Sequence, residues 1–135
     1  MSDPGTERVE VVTPDGTVER TVTREEMRRD RLRHRCTYIV VIDAADRVIV
    51  HRRASWKDLW PGRWDLAFGG VAAVGESWPD AAARELAEEA GVEAELVDLG
   101  GATFEDADVT FVGRAFLARH DGPFTFPDGE VVEHR

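Results

Sequence analysis

The sequence predicts an α/β domain, a mixed β-sheet with helices packed on it. Two runs rich in β-branched and apolar residues, Cys36 to Asp43 and Val109 to His120, have the length and pattern of buried strands. Ser77 to Ala90 carries the start and stop signals of a long helix. Strand-like and helix-like segments also succeed one another along the chain instead of segregating into blocks. With 135 residues there is material for one hydrophobic core but not for two.

Residues 1–7 read as a disordered start, and residues 8–135 as a single domain. Val9 to Val12 and Thr17 to Val22 flank Pro14-Asp15-Gly16, a turn signal between short alternating runs, which predicts a hairpin. Thr23-Arg24-Glu25-Glu26 has capping-box spacing and opens a polar helix to about Leu32. The buried strand Cys36 to Asp43 follows, then a turn at Ala44-Ala45-Asp46 and a second strand, Val48 to Arg53. Ala54 to Arg63 reads as a loop holding Trp56, Trp60, Pro61 and Gly62, and Trp64 to Phe68 as a strand ended by Gly69-Gly70. In the helix, Ser77 caps the start and Pro79 sits where its missing N–H does no harm. Gly91 supplies the stop. Val92 to Phe104 and Val109 to His120 read as two strands joined by an acidic turn. Residues 130–135 look like the beginning of a strand. The sequence stops on that beginning, so the expectation is a domain either clipped at the C-terminus or short by nature.

The formal charge is −10, from 27 acidic and 17 basic side chains. That balance argues against a nucleic-acid partner, since phosphate neutralisation needs a basic surface. It is compatible with a site for a divalent cation, although a solvated acidic face accounts for much of the excess. A single cysteine, Cys36, excludes an intramolecular disulfide and a four-cysteine zinc site, and its place in an apolar run predicts a buried structural thiol. No basic stretch followed by an apolar one opens the chain, so no secretory signal is expected. The longest apolar run, Tyr38 to Ile42, is too short for a membrane span. The expectation is a cytoplasmic enzyme without a membrane partner, with a homodimer left open.

The helix carries the chemistry. Each residue advances about 100° around the axis, so Glu85, Glu88 and Glu89 are expected within one sector, with Ala83, Leu86, Ala87 and Ala90 opposite. Like charges at this spacing cost roughly 0.2–0.5 kcal/mol per pair when solvated, and two of the three lie near the end of the helix where the macrodipole disfavours anions. By itself such a cluster reads first as a solvated acidic face, but a rigid helix presenting three carboxylates is also suited to Mg²⁺, which takes carboxylate and water oxygens, and Mn²⁺ can substitute. A carbonyl at Gly70 is placed to supply another ligand, since glycine permits close backbone approach. Arg84 is placed to pair with Glu76 or a neighbouring glutamate, fixing the loop against the helix.

Gly70, then Glu76, then Arg84-Glu85-Leu86-Ala87-Glu88-Glu89-Ala90-Gly91-Val92 resembles the Nudix box, Gly-x₅-Glu-x₇-Arg-Glu-U-x-Glu-Glu-x-Gly-U with U aliphatic. All nine specified positions match. The resemblance implies an α/β/α sandwich with a mixed central sheet and a Mg²⁺-dependent hydrolase that cleaves a phosphoanhydride in a small, nucleotide-like diphosphate. It implies Glu85 and Glu89 as principal metal ligands and Glu88 as ligand or water activator. Glu76 and Arg84 are the orienting residues it implies.

Upstream, His34-Arg35, Tyr38 to Val41, Val48 to Arg53 and Trp60 to Asp65 resemble a Nudix branch related to isopentenyl diphosphate isomerase. That enzyme needs an active-site cysteine and a metal-binding histidine in the segment that here reads Trp64-Asp65-Leu66-Ala67-Phe68-Gly69-Gly70. Neither is present, so the resemblance favours hydrolysis over isomerisation, although His34 matches one isomerase ligand. A Nudix-fold nucleotide-binding module without catalysis is the other alternative, and the intact glutamate set speaks against it. Arg52, Arg53, Lys57 and Arg63, beside Trp56, Trp60 and Trp64, form a basic and aromatic region. Arg52 and Arg53 are the candidates there for holding a substrate phosphate, and strand alternation lets only one of them face the cleft. Glu105 and Glu130 are further carboxylates that a site of this kind can recruit.

Overall fold

The computed structural model describes residues 7–53, 64–107, 109–122, 124 and 131–134. The N-terminal hairpin is present: β1 (Arg8–Val12) pairs antiparallel with β2 (Val18–Thr23). Residues 1–6 of the expected disordered start lie outside the described residues, but Glu7 is anchored, its carbonyl accepting from the Arg24 N–H at 2.7 Å. Thr23 caps α1 (Arg24–Arg29), its hydroxyl accepting from the Glu26 N–H at 3.1 Å. The helix stops earlier than expected because Asp30 leaves helical geometry and Arg31 takes a positive φ of 50°.

The centre is a four-stranded sheet made by β3 (His34–Ile42), β6 (Phe68–Val71), β7 (Val97–Glu105) and β8 (Thr110–Arg119), in the order β6-β3-β8-β7. β3 runs parallel to β8, and the other two pairings are antiparallel, so the sheet is mixed as expected. A three-stranded sheet joins β5 (Trp64–Asp65), β4 (His51–Arg53) and β9 (Val131–His134). Alternation along β3 divides the sheet into two faces. Ile39 and Val41 join Phe68, Phe116 and Ala118 under α2 (Trp78–Ala90), through Ala82, Leu86 and Ala90. Cys36 joins Val71, Val109 and Phe111 under the hairpin and Met27 of α1. Helices therefore cover both faces, the α/β/α arrangement. Each large apolar side chain buried in these layers contributes roughly 1.5–3 kcal/mol.

Three strand expectations need correction. Trp64 to Phe68 is not one strand: the Asp65 carboxylate accepts from the Ala67 N–H at 3.0 Å, and this turn sends β5 and β6 into different sheets. Gly69 and Gly70 lie inside β6 instead of ending it. Between Val48 and Arg53 only an isolated bridge, Ile42 to Val48, precedes the short β4. The strand expected from Val92 begins at Val97, because Val92 is buried in the core beneath the helix end. The loop at 54–63 lies outside the described residues. Among the described residues no helix is long and apolar enough to cross a membrane.

β6 can approach β3 only because Gly69 has no side chain. Its φ is +145°, and a Cβ there would overlap the carbonyl of Thr37. Gly69→Ala is expected to destabilise the fold by roughly 2–4 kcal/mol, combining overpacking with backbone strain. Urea unfolding measures this, and a loss of only a few tenths would show that β6 does not depend on that contact.

Candidate active site

α2 starts at Ser77, whose hydroxyl accepts from the Asp80 N–H at 3.2 Å, and ends at Gly91 in left-handed geometry, φ 65°. The helix is rotated differently from the expected two-sided split. Glu85 and Glu89 are buried at 8% and 3% exposure, on the sheet side with Leu86 and Ala90, whereas Ala83 is exposed. The Glu88 side chain is 52% exposed. Glu85 and Glu89 are four residues apart and nearly aligned, while Glu88 stands about 100° from Glu89 and so reaches the rim. Glu85 and Glu89 therefore lie on the sheet side of the helix, and Glu88 stands at its edge, where it shares the Arg84 guanidinium with Glu85.

Two carboxylates face β6. Glu85 packs against Gly70, where an added Cβ would lie 3.1–3.2 Å from its carboxylate atoms. Glu89 accepts from the Gly69 N–H at 3.1 Å. Thr37, directly opposite Gly70 in register, is fully buried, and its hydroxyl has no hydrogen-bond partner among the described residues.

Arg84 connects the helix to the preceding loop as expected. Its Nε and Nη2 donate to the two Glu76 oxygens at 2.7 and 2.9 Å. Its Nη1 donates to Glu85 at 3.0 Å and to Glu88 at 3.1 Å, and Nη2 also reaches the Val71 carbonyl at 3.3 Å. Glu76 closes its own turn by accepting from the Ala73 N–H at 2.8 Å. The bidentate Arg84 contact, aided by the Ala73 N–H, holds the Glu76 carboxyl below its ordinary range, against the opposing effect of burial. Glu76 in turn raises Arg84 above the usual guanidinium value.

Arg52 is exposed on β4, in register with Trp64, and the side chain of Arg53 lies outside the described residues. Lys57, Arg63, Trp56, Trp60 and Glu130 also lie outside them. Glu105 is exposed at the end of β7, 3.9 Å from Arg33. His34 is fully buried, with Nδ1 3.0 Å from the Leu32 carbonyl, and burial pulls its pKa down to about 4. His34 and Cys36 lie on the face of β3 turned away from α2. Burial pushes the Cys36 thiol up to about 12, so it is neither a ready nucleophile nor a ready acid. The contributions of Thr37 and the Gly69 N–H carry no local sequence signal, because they arise from pairing between distant segments.

A model of the NUDIX domain matches residues 32–135. The chain belongs to the Nudix family. It is 40% identical over 129 residues to the uncharacterized Nudix hydrolase YfcD of Salmonella typhi, an alignment covering 95% of this chain and 70% of that protein. It is 36% identical over 116 residues to the uncharacterized Nudix hydrolase PA4841 of Pseudomonas aeruginosa, covering 85% of this chain and 69% of that one. The fold is shared with DR0079 of Deinococcus radiodurans at a TM-score of 0.80 and 22% identity, over 96% of this chain and 82% of that one. It is also shared with the NUDIX domain of Shewanella oneidensis NrtR, solved with ADP ribose, at a TM-score of 0.65 and 18% identity, over 84% and 82%. As a Nudix hydrolase the chain cleaves a phosphoanhydride, a chemistry for which the family generally uses divalent metal ions.

The Glu76–Arg84 pair should be visible in acid. A carboxylate with a depressed folded pKa contributes stability that is fully present above its ordinary value of 4.5 and is lost as pH falls through the lowered value. Arg84 is partly exposed, so screening limits the effect to about 1 kcal/mol. Glu76→Gln should therefore lose less stability than the parent below about pH 4.5. Parallel acid limbs in thermal melts of the two proteins would contradict the pairing.

Proposed function

We propose that this Nudix hydrolase is Mg²⁺-dependent and cleaves the diphosphate of a nucleotide-like small molecule, with Glu85 and Glu89 as principal metal ligands. The observation that carries this reading is the burial of both carboxylates against the glycines of β6. Burying a carboxylate is costly unless opposite charge or hydrogen bonds compensate it, and a divalent cation is a strong source of compensation. The donor set fits Mg²⁺, and Mn²⁺ as its substitute: it consists of hard carboxylate oxygens, and the carbonyl of Gly70, against which Glu85 packs, is proposed as a further ligand. The unpartnered Thr37 hydroxyl supports a further polar occupant on this face. When bound, the ion supplies charge neutralisation at phosphate oxygens and lowers the pKa of an attacking water.

The protein's own groups then divide the work. Glu89, held by the Gly69 N–H, and Glu85, held by Arg84, are fixed against a rigid strand. Glu88 stands at the rim, where it can take a proton from water or act as a further ligand. Glu76 orients Arg84, which keeps Glu85 and Glu88 at a set distance. Such positioning matters because phosphoryl transfer is accelerated mainly by alignment and electrostatics. ADP ribose, present with the NrtR domain, contains a diphosphate between two ribosyl groups and supports a nucleotide-like substrate. One of Arg52 and Arg53, adjacent on β4, is proposed for the phosphate end of that substrate.

Glu89→Gln preserves shape and removes the negative charge. On the best substrate from a panel of nucleotide diphosphates, phosphate or pyrophosphate release should fall at least about 10²-fold, with the fold retained. Chelation should abolish activity, and added Mg²⁺ or Mn²⁺ should restore it. Unchanged turnover in Glu89→Gln would remove the central claim.

Isomerisation is expected to be absent. Moving a double bond requires an acid and a base close to carbon, and the buried Cys36 thiol faces away from α2. Isopentenyl diphosphate incubated with enzyme and Mg²⁺ in deuterated water should gain no deuterium at carbon. Incorporation that disappears in Cys36→Ala would reverse this assignment.

A further inference from the structure

Among the described residues, Arg35 is a heavily used side chain that the hydrolytic reading leaves without a role. It stands on β3, two residues before Thr37, and so shares the face of the sheet that α2 covers. Nη1 donates to the Glu76 carbonyl at 2.8 Å, and Nη2 donates to the Ala73 carbonyl at 3.1 Å. Nη2 also donates to the Glu10 carboxylate at 2.7 Å, and the guanidinium lies 5.2 Å from the centroid of the Trp78 ring. The Arg35 backbone carbonyl accepts from the Ala72 N–H at 2.9 Å. One residue thus holds both ends of the turn from Ala72 to Glu76.

Glu10 is the counter-charge. It belongs to β1, in the hairpin that precedes the region matched by the family model. The Glu10 and Arg35 side chains are only 11% and 10% exposed, so the pair is largely desolvated. Breaking a buried pair by removing one charge leaves the other uncompensated, which makes its geometry resistant to drift. Arg35 cannot release Glu10 without also moving away from the carbonyls it holds.

We propose that Glu10 and Arg35 are positioning residues for hydrolysis. The hairpin fixes Arg35, Arg35 fixes the 72–76 turn, and the turn presents Glu76 to Arg84 and so to the carboxylates of α2. Neither residue touches substrate. The inference rests on the hydrolytic reading for its kinetic consequence but not for its structural one, and the two can be tested separately.

The structural arm needs no substrate. Glu10→Gln keeps the shape and the capacity to accept a hydrogen bond, so the fold is expected to persist. Hydrogen exchange should show protection across residues 72–76 falling about tenfold or more, with the core of β3 and α2 little changed. No change at 72–76, or a uniform loss across the chain, overturns the proposal. The kinetic arm uses Glu10→Gln and Arg35→Lys on the best diphosphate substrate. Outer-shell partners of metal ligands commonly carry about 10- to 100-fold of activity or metal affinity. Glu10→Gln should lower kcat within that range and leave KM nearly constant. Arg35→Lys, which keeps the charge but not the fork that reaches two carbonyls, should lower kcat as well. A lower melting temperature with kcat and the 72–76 exchange intact would reduce the pair to a structural tie. If the parent hydrolyses no diphosphate, the function has failed, and the exchange arm still decides whether the clamp exists.

Discussion

Two carboxylates on the core side of a helix constrain the structure around them. In the interior a carboxylate must be compensated, and the cost of leaving it bare runs to several kcal/mol. The compensation comes from several directions at once. Gly69 offers a backbone N–H to Glu89, Arg84 reaches Glu85 from one residue away, and Gly70 leaves room for the Glu85 carboxylate. Each arrangement needs a backbone placement that a larger side chain would forbid. The Thr37 carbonyl lies where a Gly69 Cβ would go, so the spacing between β3 and β6 and the exposure of the Gly69 amide depend on the same missing atom. Packing and electrostatics are tied together at this strand.

Arg84 shows how the charges are shared. One guanidinium contacts Glu76, Glu85 and Glu88. Three carboxylates around one cation leave local negative charge unbalanced, in a chain that is already strongly acidic. That residual charge suits a divalent cation and discourages an anionic substrate from approaching alone. On the proposed reading, a diphosphate would meet this face as a metal complex or after a metal has bound. The arrangement is costly for stability and useful for binding, a common compromise at functional sites.

Local patterns in the sequence reveal most of the framework. Thr23, Ser77 and Gly91 mark helix ends through chemistry that acts within a few residues, and the structure uses each as a cap or stop. The strands at β3 and β8 follow from runs of β-branched residues. Legibility declines where partners are distant. Gly69-Gly70 looks like a strand terminator, yet the glycines are the strand, because what they accommodate is the Thr37 backbone and the Glu85 side chain. Periodicity places three glutamates in one sector but does not show which side of the sector meets the sheet. The sheet-facing line turns out to run through Glu85 and Glu89, with Glu88 on the rim. Arg35 carries a family resemblance in the sequence, but its hold on the 72–76 turn emerges only when segments about forty residues apart are brought together.

The two-residue period of β3 also separates chemistry that adjacency in sequence would merge. His34 and Cys36 project toward the hairpin and α1, where burial keeps the thiol neutral against Arg28 and Arg24 and, helped by the same two arginines, keeps the imidazole neutral. Arg35 and Thr37 project toward α2. Four consecutive residues thus contribute alternately to a passive core and to the surroundings of the glutamates. A one-residue slip in register would exchange the sets, placing a cationic guanidinium in the apolar layer and removing the clamp from the 72–76 turn. The parallel pairing of β3 with β8 over nine residues and its antiparallel pairing with β6 oppose such a slip from both sides. The strand that supplies no metal ligand in this reading therefore decides which residues can support those that do.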